Sequence, residues 1–334
     1  DPIKVCLRLR PMTKLERNRR SRSCIEAHEG DGQFTVDSPL DGEYDFSFDH
    51  VFNVDSSQQD VYETVGSSLV DSLLQGINCS VLAYGLSGSG KTHTLTGKLP
   101  ELADDRGEGS SDEDSISTTA TPREEDAGIL PRMINDLFHG MKEYPEYIEF
   151  RLSCTYVAIF LEKIFDLLDP KLDKTLLVTD MTSGIALEGA VEAFCFNEDD
   201  IIQLIRRGTA CRKLIGNDLS MDPNRSHAIF MLHIEQRHIR SGAVRRSYLQ
   251  LAELAGFEVA SKAKVQSVQE TKIIHKSFSA LGNVIKCLTE GHTYVPYREA
   301  KLTSILKDAF GGNCRTTFFI TASPSSYNIT ETIN

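Results

Sequence analysis

No run of eighteen or more apolar residues occurs in this chain of 334 residues, so no membrane-spanning helix is expected. There is no Cys-x-x-Cys pair either. The eight cysteines are scattered and mostly sit in apolar runs, which argues against a zinc site and makes a reducing cytosol the simplest compartment. Internal repeats and heptad runs are missing, which excludes a repeat array and a coiled coil. Asp1 to Val5 turns almost at once into strand-like sequence, and no signal or transit peptide is expected ahead of it. Positive charge is in deficit, with 36 Lys and Arg against 48 Asp and Glu, a net of −12. Residues 101–126 hold ten acids and two bases, a net of −8, which leaves only −4 for the rest. The total therefore does not exclude an acidic partner, provided that any basic surface is local.

Enough apolar residues are present, at 40%, to fill the core of one large α/β domain. Strand patterns cover Ile3 to Arg10, Ile148 to Phe160, Ala228 to Ile239 and Arg245 to Glu253. Helical patterns cover Gln59 to Leu74, Glu198 to Arg207 and Thr271 to Leu288, and Met133, Ile134, Leu137 and Phe138 recur at helical spacing. Glu162 to Leu168 reads as a short helix or turn. Residues 101–126 are rich in Ser, Thr and acids and poor in large apolar side chains, and read as a disordered insert in a single domain.

The densest signal is Gly85, Leu86, Ser87, Gly88, Ser89, Gly90, Lys91 and Thr92, which fits the phosphate-loop pattern Gly-x-x-x-x-Gly-Lys-Thr without deviation. An apolar run, Val81 to Tyr84, precedes it as a buried strand would, and His93 to Thr96 can continue a helix starting near Gly90. The alternative is a glycine-rich turn that matches by accident. In the phosphate reading, loop N–H groups cradle the α- and β-phosphates, Lys91 reaches the β- and γ-phosphates, and the Thr92 hydroxyl binds Mg²⁺. Hydrolysis also needs groups that sense the γ-phosphate and place water. Two segments qualify: Asn224 to His227, just before a strand, and Glu253 to Glu258, just after one. Glu253 could hold Mg²⁺ through water, Gly256 could give its N–H to the γ-phosphate, and Arg225 could pair with Glu258.

With these residues in view the chain resembles a kinesin motor domain. Arg8-Leu9-Arg10-Pro11 is similar to that family's Arg-x-Arg-Pro segment, Arg225-Ser226-His227 to the end of its first switch, and Glu253 to Glu258 to its second. Tyr294 to Thr303 resembles its microtubule-facing Pro-Tyr-Arg-x-x-Lys-Leu-Thr segment. Gly311 to Thr317 and Ser323 to Asn328 are similar to conventional kinesins in particular. The resemblance implies a P-loop NTPase fold with an eight-stranded central sheet and helices on both faces. It also implies ATP or ADP with Mg²⁺, microtubules as partner, no nucleic acid, and a cytoplasmic, cytoskeletal place. Arg10, Pro11 and His93 would flank adenine, and Lys262, Lys264, Lys272, Lys276, Arg298 and Lys301 would face the microtubule. After Asn334 the family continues with its last helix and neck linker, so cargo and dimer partners would lie outside this segment.

Departures from the family fall where the chemistry happens. The family's Asn-x-x-Ser-Ser-Arg-Ser-His reads here Ser220 to His227 with Pro223 and Asn224 in place of the two serines. Pro223 removes a backbone N–H, while Asn224 keeps an amide to offer. The family's Asp-Leu-Ala-Gly-Ser-Glu carries Glu253 for Asp and Phe257 for Ser, and its Ile-Asn-Lys-Ser-Leu becomes Ile274 to Phe278, with His275 and Phe278 changed. Glu253 is one methylene longer, so its carboxylate is expected to need backbone movement to reach the family position. A misplacement of about 1 Å costs roughly 10²-fold in rate. Two readings follow: a working motor whose changes are compensated elsewhere, or a head that binds nucleotide and hydrolyses it slowly or not at all.

Overall fold

The computed structural model describes residues 3–28, 32–38, 42–99, 124–169, 171, 174–181, 184–218, 223–257 and 268–333. Its centre is one mixed sheet of nine strands: β1 Lys4–Leu9, β5 His50–Phe52, β6 Asn78–Gly85, β7 Ile148–Phe160, β8 Lys163–Asp166, β11 Ala193–Cys195, β12 His227–His238, β13 Val244–Glu253 and β14 Cys314–Ala322. Eight of them run in the order β11-β7-β12-β13-β6-β14-β1-β5, and β8 pairs with β7. The remaining strands form a three-stranded sheet, β2 Ile25–His28, β3 Gln33–Ser38 and β4 Gly42–Ser47, and a hairpin, β9 Leu177–Met181 with β10 Gly184–Glu188.

Five strands, β13, β6, β14, β1 and β5, are mutually parallel. Parallel strands are covered on both faces and read as continuous apolar runs, which is why Cys79 to Ala83 is buried throughout. Alternation divides these side chains between two cores. Val81 and Ala83 pack with α3 Ser67–Leu74, α5 Ile129–Lys142 and α6 Glu198–Asp218, whereas Leu82 packs with α7 Val268–Thr289 and α8 Lys301–Ile305. The shorter helices are α1 Lys14–Asn18, α2 Gln58–Val61, α4 Lys91–Leu95, α9 Lys307–Gly311 and α10 Ile329–Ile333. The helical pattern from Gln59 to Leu74 is realised as α2, a π-helical turn Tyr62–Gly66 and α3. A capping box of Ser57 and Asp60 starts it.

Of the two readings of Glu162 to Leu168, helix or turn, the structure takes the turn and adds a strand: Leu161 and Glu162 form a tight turn and Lys163–Asp166 returns as β8 against β7. Both turn residues have positive φ, 48° and 60°, which non-glycine residues adopt at a cost. The Glu162 carboxylate repays it by accepting from the Ser277 hydroxyl of α7 (2.9 Å) and from the Lys301 N–H that opens α8 (2.8 Å). Of residues 101–126, only the 3₁₀ turn Glu124–Asp126 is described, and its Asp126 pairs with Lys98 at 2.6 Å. The rest of the expected insert lies outside the described residues.

Candidate active site

Strand register brings the site together. β6 ends in the phosphate loop between β13 and β14, with Glu253 level with Ala83 and Thr321 level with Gly85. Glycine is required at position 85, where φ is 152° and a Cβ would lie 2.2 Å from the Thr321 carbonyl oxygen. At Gly88 and Gly90, also at positive φ, a Cβ would meet nothing within 4 Å, so the loop leaves open space where a phosphate chain would lie. Lys91 is buried, and its ammonium donates to the carbonyls of Gly85 (2.9 Å) and Leu86 (2.7 Å). The Ser89 hydroxyl is taken up by the Leu86 carbonyl and the Thr321 hydroxyl.

Arg10 reaches the loop. Its Nε donates to the Gly88 carbonyl at 2.8 Å, and its guanidinium pairs with Glu16 at 2.6 Å. Arg10, with help from Thr13 and Ser323, holds the Glu16 carboxyl down at about 2, against the pull of burial. Pro11 sits beside this pair, accepting from Arg10. His93 is anchored through its carbonyl by Gln58, which in turn accepts from the buried Arg8. Glu16 stands in no motif, and Arg8 stands in one only as the first residue of the Arg-x-Arg-Pro segment.

Glu253, at the end of β13, meets the phosphate loop through Thr92. It accepts from the Thr92 hydroxyl and from Arg212 of α6 at 2.8 Å. Burial pushes its pKa up, but the Arg212 charge, the hydrogen bonds from Thr92 and Arg212, and the Lys91 charge outweigh burial and leave the carboxyl ionised below its usual range. Arg212 also donates to the hydroxyl and carbonyl of Ser226, so one guanidinium joins α6, the first switch and Glu253. The Thr92 hydroxyl beside an ionised carboxylate is an all-oxygen donor pair of the kind Mg²⁺ takes, so these residues fit the ion.

The switch segments touch each other and the loop. Gly256 N–H donates to the Asn224 carbonyl at 2.8 Å, and Phe257 N–H to the Gly85 carbonyl at 3.4 Å. Ala255 N–H donates to Nδ1 of His227 at 3.0 Å, which fixes that ring as an acceptor. Pro223 and Asn224 lie in a 3₁₀ turn that ends at Arg225. Arg225 donates to the Thr271 hydroxyl at 2.9 Å and lies 3.8 Å from Glu270, both on α7. Glu258, its expected partner, lies outside the described residues, as do Lys262 and Lys264. Lys272 and Lys276 are exposed one turn apart on α7, and Arg298 is exposed in the 3₁₀ turn just ahead of α8. Arg298 and Lys307 share Asp180, at 3.9 and 2.6 Å. A cavity of about 590 Å³ lies elsewhere, at the other ends of β6 and β13 beside Ser153, His233 and Tyr248.

His227 makes the site pH-sensitive. Burial first, then the charges of Arg212 and Lys91, push it down to about 3. A folded-state value below the unfolded one means that stability is complete above about 6.5 and falls as the pH drops toward 3. The loss is at most about 1.4 kcal/mol per pH unit. Denaturant melts of wild type and His227→Gln between pH 7 and 5 should show a shallower dependence in the variant; equal slopes would refute it.

Comparison with known proteins decides the family. A model of the kinesin motor domain matches residues 8–334. This chain belongs to the kinesin motor-domain family. It is 36% identical to Kinesin-related protein 3 of Dictyostelium discoideum over 335 residues, covering 99% of this chain and 26% of that protein. It is 36% identical to Kinesin-1 heavy chain of Rattus norvegicus over 332 residues, covering 99% and 32%. A solved structure of a fast kinesin, described with implications for ATPase mechanism and interactions with microtubules, superposes with a TM-score of 0.86 at 33% identity, covering 99% and 88%. The chain thus spans about a quarter to a third of these curated relatives, and the kinesin fold is shared with the solved one.

Proposed function

We propose that this chain is a microtubule-binding motor head that hydrolyses ATP slowly and couples the loss of the γ-phosphate to switch movement and track affinity. The observation that carries the reading is the convergence on one phosphate loop of Lys91, Thr92, the ionised Glu253 and both switch segments. Lys91 and the loop bind and orient the phosphates; Thr92, with Glu253 behind it, would hold Mg²⁺. When bound, that ion neutralises charge on the phosphate oxygens. Arg225 and Glu258 complete the switch pair in this proposal, as in the resemblance. Kinesin relatives support a cytoplasmic, microtubule-associated place.

Slow turnover is proposed on three grounds. Pro223 has no N–H to offer, Phe257 brings a ring where the family has a hydroxyl, and the Gly256 N–H is taken by Asn224. Phosphoryl transfer depends on positioning and charge far more than on covalent work by side chains, so binding survives while rate falls. Steady-state phosphate release with and without microtubules tests both parts. Stimulated turnover should lie below the common range of roughly 1–10³ per second, and joint reversion of Pro223→Ser, Asn224→Ser, Glu253→Asp and Phe257→Ser should raise it. A native rate inside that range sinks the slow reading. No stimulation at all would favour a microtubule-binding module without productive hydrolysis, the reading to which the Asn224–Gly256 bond points.

For the track, the exposed cations Lys272, Lys276 and Arg298, with half-buried Lys301, form the proposed contact. Reversing Arg298 and Lys301 to Glu should weaken microtubule co-sedimentation on the order of tenfold, and added salt should weaken the wild type. If neither changes binding, this face is not the contact.

A further inference from the structure

Tyr84, His227, Phe257, His275 and Phe278 form a cluster of rings that the phosphate-loop chemistry does not use. Phe257 lies flat on His275, with centroids 4.7 Å apart and planes 18° from parallel. Phe278 meets Phe257 edge-on at 5.5 Å, Tyr84 at 5.2 Å and His227 at 5.4 Å. Four segments contribute: the end of β6, the start of β12, the stretch after β13, and α7. His275 and Phe278 are three apart, so they share one face of that helix. Three of the five residues, Phe257, His275 and Phe278, are positions where this chain departs from the family pattern, and here they touch one another.

The backbone that this cluster holds has every N–H occupied. Leu254 donates to the Ala83 carbonyl (3.0 Å), Ala255 to His227, Gly256 to the Asn224 carbonyl and Phe257 to the Gly85 carbonyl. The geometry points to a clamp: the Phe257–His275 stack, braced by Phe278 and Tyr84, holds the Gly256 N–H on Asn224, so the head discriminates only weakly between nucleoside di- and triphosphate. A third phosphate gains only the difference between its own hydrogen bond and the protein bond that it displaces, and specificity is a difference of affinities. Phe257 and His275 are positioning residues in this scheme, and the inference rests on the ATP reading of the loop.

Calorimetric titration of the whole chain with MgADP and with a non-hydrolysable Mg-triphosphate analogue tests it. Wild type should bind the two within about threefold of each other. His275→Asn and Phe257→Leu, which remove a ring, should shift the ratio toward triphosphate by about two- to tenfold, the range expected for one aromatic pair. His275→Phe, which keeps a ring, should leave the ratio as in wild type. Hydrogen exchange supplies a second arm: the amides of Gly256 and Phe257 should exchange faster in His275→Asn than in wild type or His275→Phe. A wild-type preference for triphosphate above tenfold overturns the clamp, as do an unchanged ratio and unchanged exchange in the ring-less variants. If neither nucleotide binds, the ATP reading has failed, and the exchange comparison alone then decides whether the clamp exists.

Discussion

Replacing Arg212 by Ala should destabilise the fold by about 3–5 kcal/mol, the usual cost of stripping one partner from a buried ion pair. Both side chains of the Arg212–Glu253 pair are nearly closed off from solvent, 11% and 12% exposed. Without the guanidinium, Glu253 keeps only Thr92 and the more distant Lys91 charge against its burial. Its carboxyl then moves up toward protonation, and Ser226 loses two hydrogen bonds at once. Two measurements separate the consequences. Denaturant unfolding should show the stability loss, and nucleotide titration at varied Mg²⁺ should show weaker metal dependence in Arg212→Ala. Adding Glu253→Gln to Arg212→Ala, which removes the unpaired charge but keeps the shape, should recover much of the stability and none of the metal dependence. A loss below about 1 kcal/mol, the level of an exposed pair, would mean that Arg212 does not hold Glu253.

Lys91→Ala should remove nucleotide binding altogether at working concentrations. The ammonium is held among loop carbonyls and its charge reaches both Glu253 and His227. Truncating one partner of a buried, hydrogen-bonded charge pair costs about 2–5 kcal/mol in binding, or roughly 30- to several thousand-fold. Titration of a fluorescent ATP analogue reads this directly. Undiminished affinity in a folded Lys91→Ala protein would defeat the assignment of the loop. Because Lys91 also pushes His227 down, the variant should lose less stability on acidification than wild type does.

Local signals carried further than pairings. Ile148 to Phe160 was readable to the residue, because a long β-rich run has no competing period. The phosphate loop was readable because its glycines and Lys91-Thr92 are fixed in spacing. The returning strand β8 was not legible, because Leu161 and Glu162 reverse the chain in left-handed backbone without the Gly or Asn that normally announces a hairpin, and the two contacts that stabilise them come from α7 and α8. Arg212 was invisible for a similar reason. It lies in mid-helix with no motif around it, and only strand register brings Glu253 to meet it. Spacing alone likewise does not show that the Glu253 carboxylate is held between Arg212 and Thr92. The changes at Phe257, His275 and Phe278 were each legible as departures, but a stack of rings from separate segments is a property of packing, not of spacing.

The sheet order has a consequence for how the molecule is made. β1 lies between β5 and β14, paired with the latter from Lys4 against Thr317 to Leu9 against Ala322. A ribosome delivers β1 long before β14, so this strand must wait with one edge unpaired while almost the whole domain is synthesised. Contacts so distant in sequence are slow to form, and an unpaired strand edge is the surface on which nascent chains associate wrongly. The Thr321 carbonyl that crowds Gly85 arrives with β14 as well. The phosphate loop therefore takes its final shape only at the last stage of folding, and a chain interrupted before Cys314 should be captured by chaperones rather than by nucleotide.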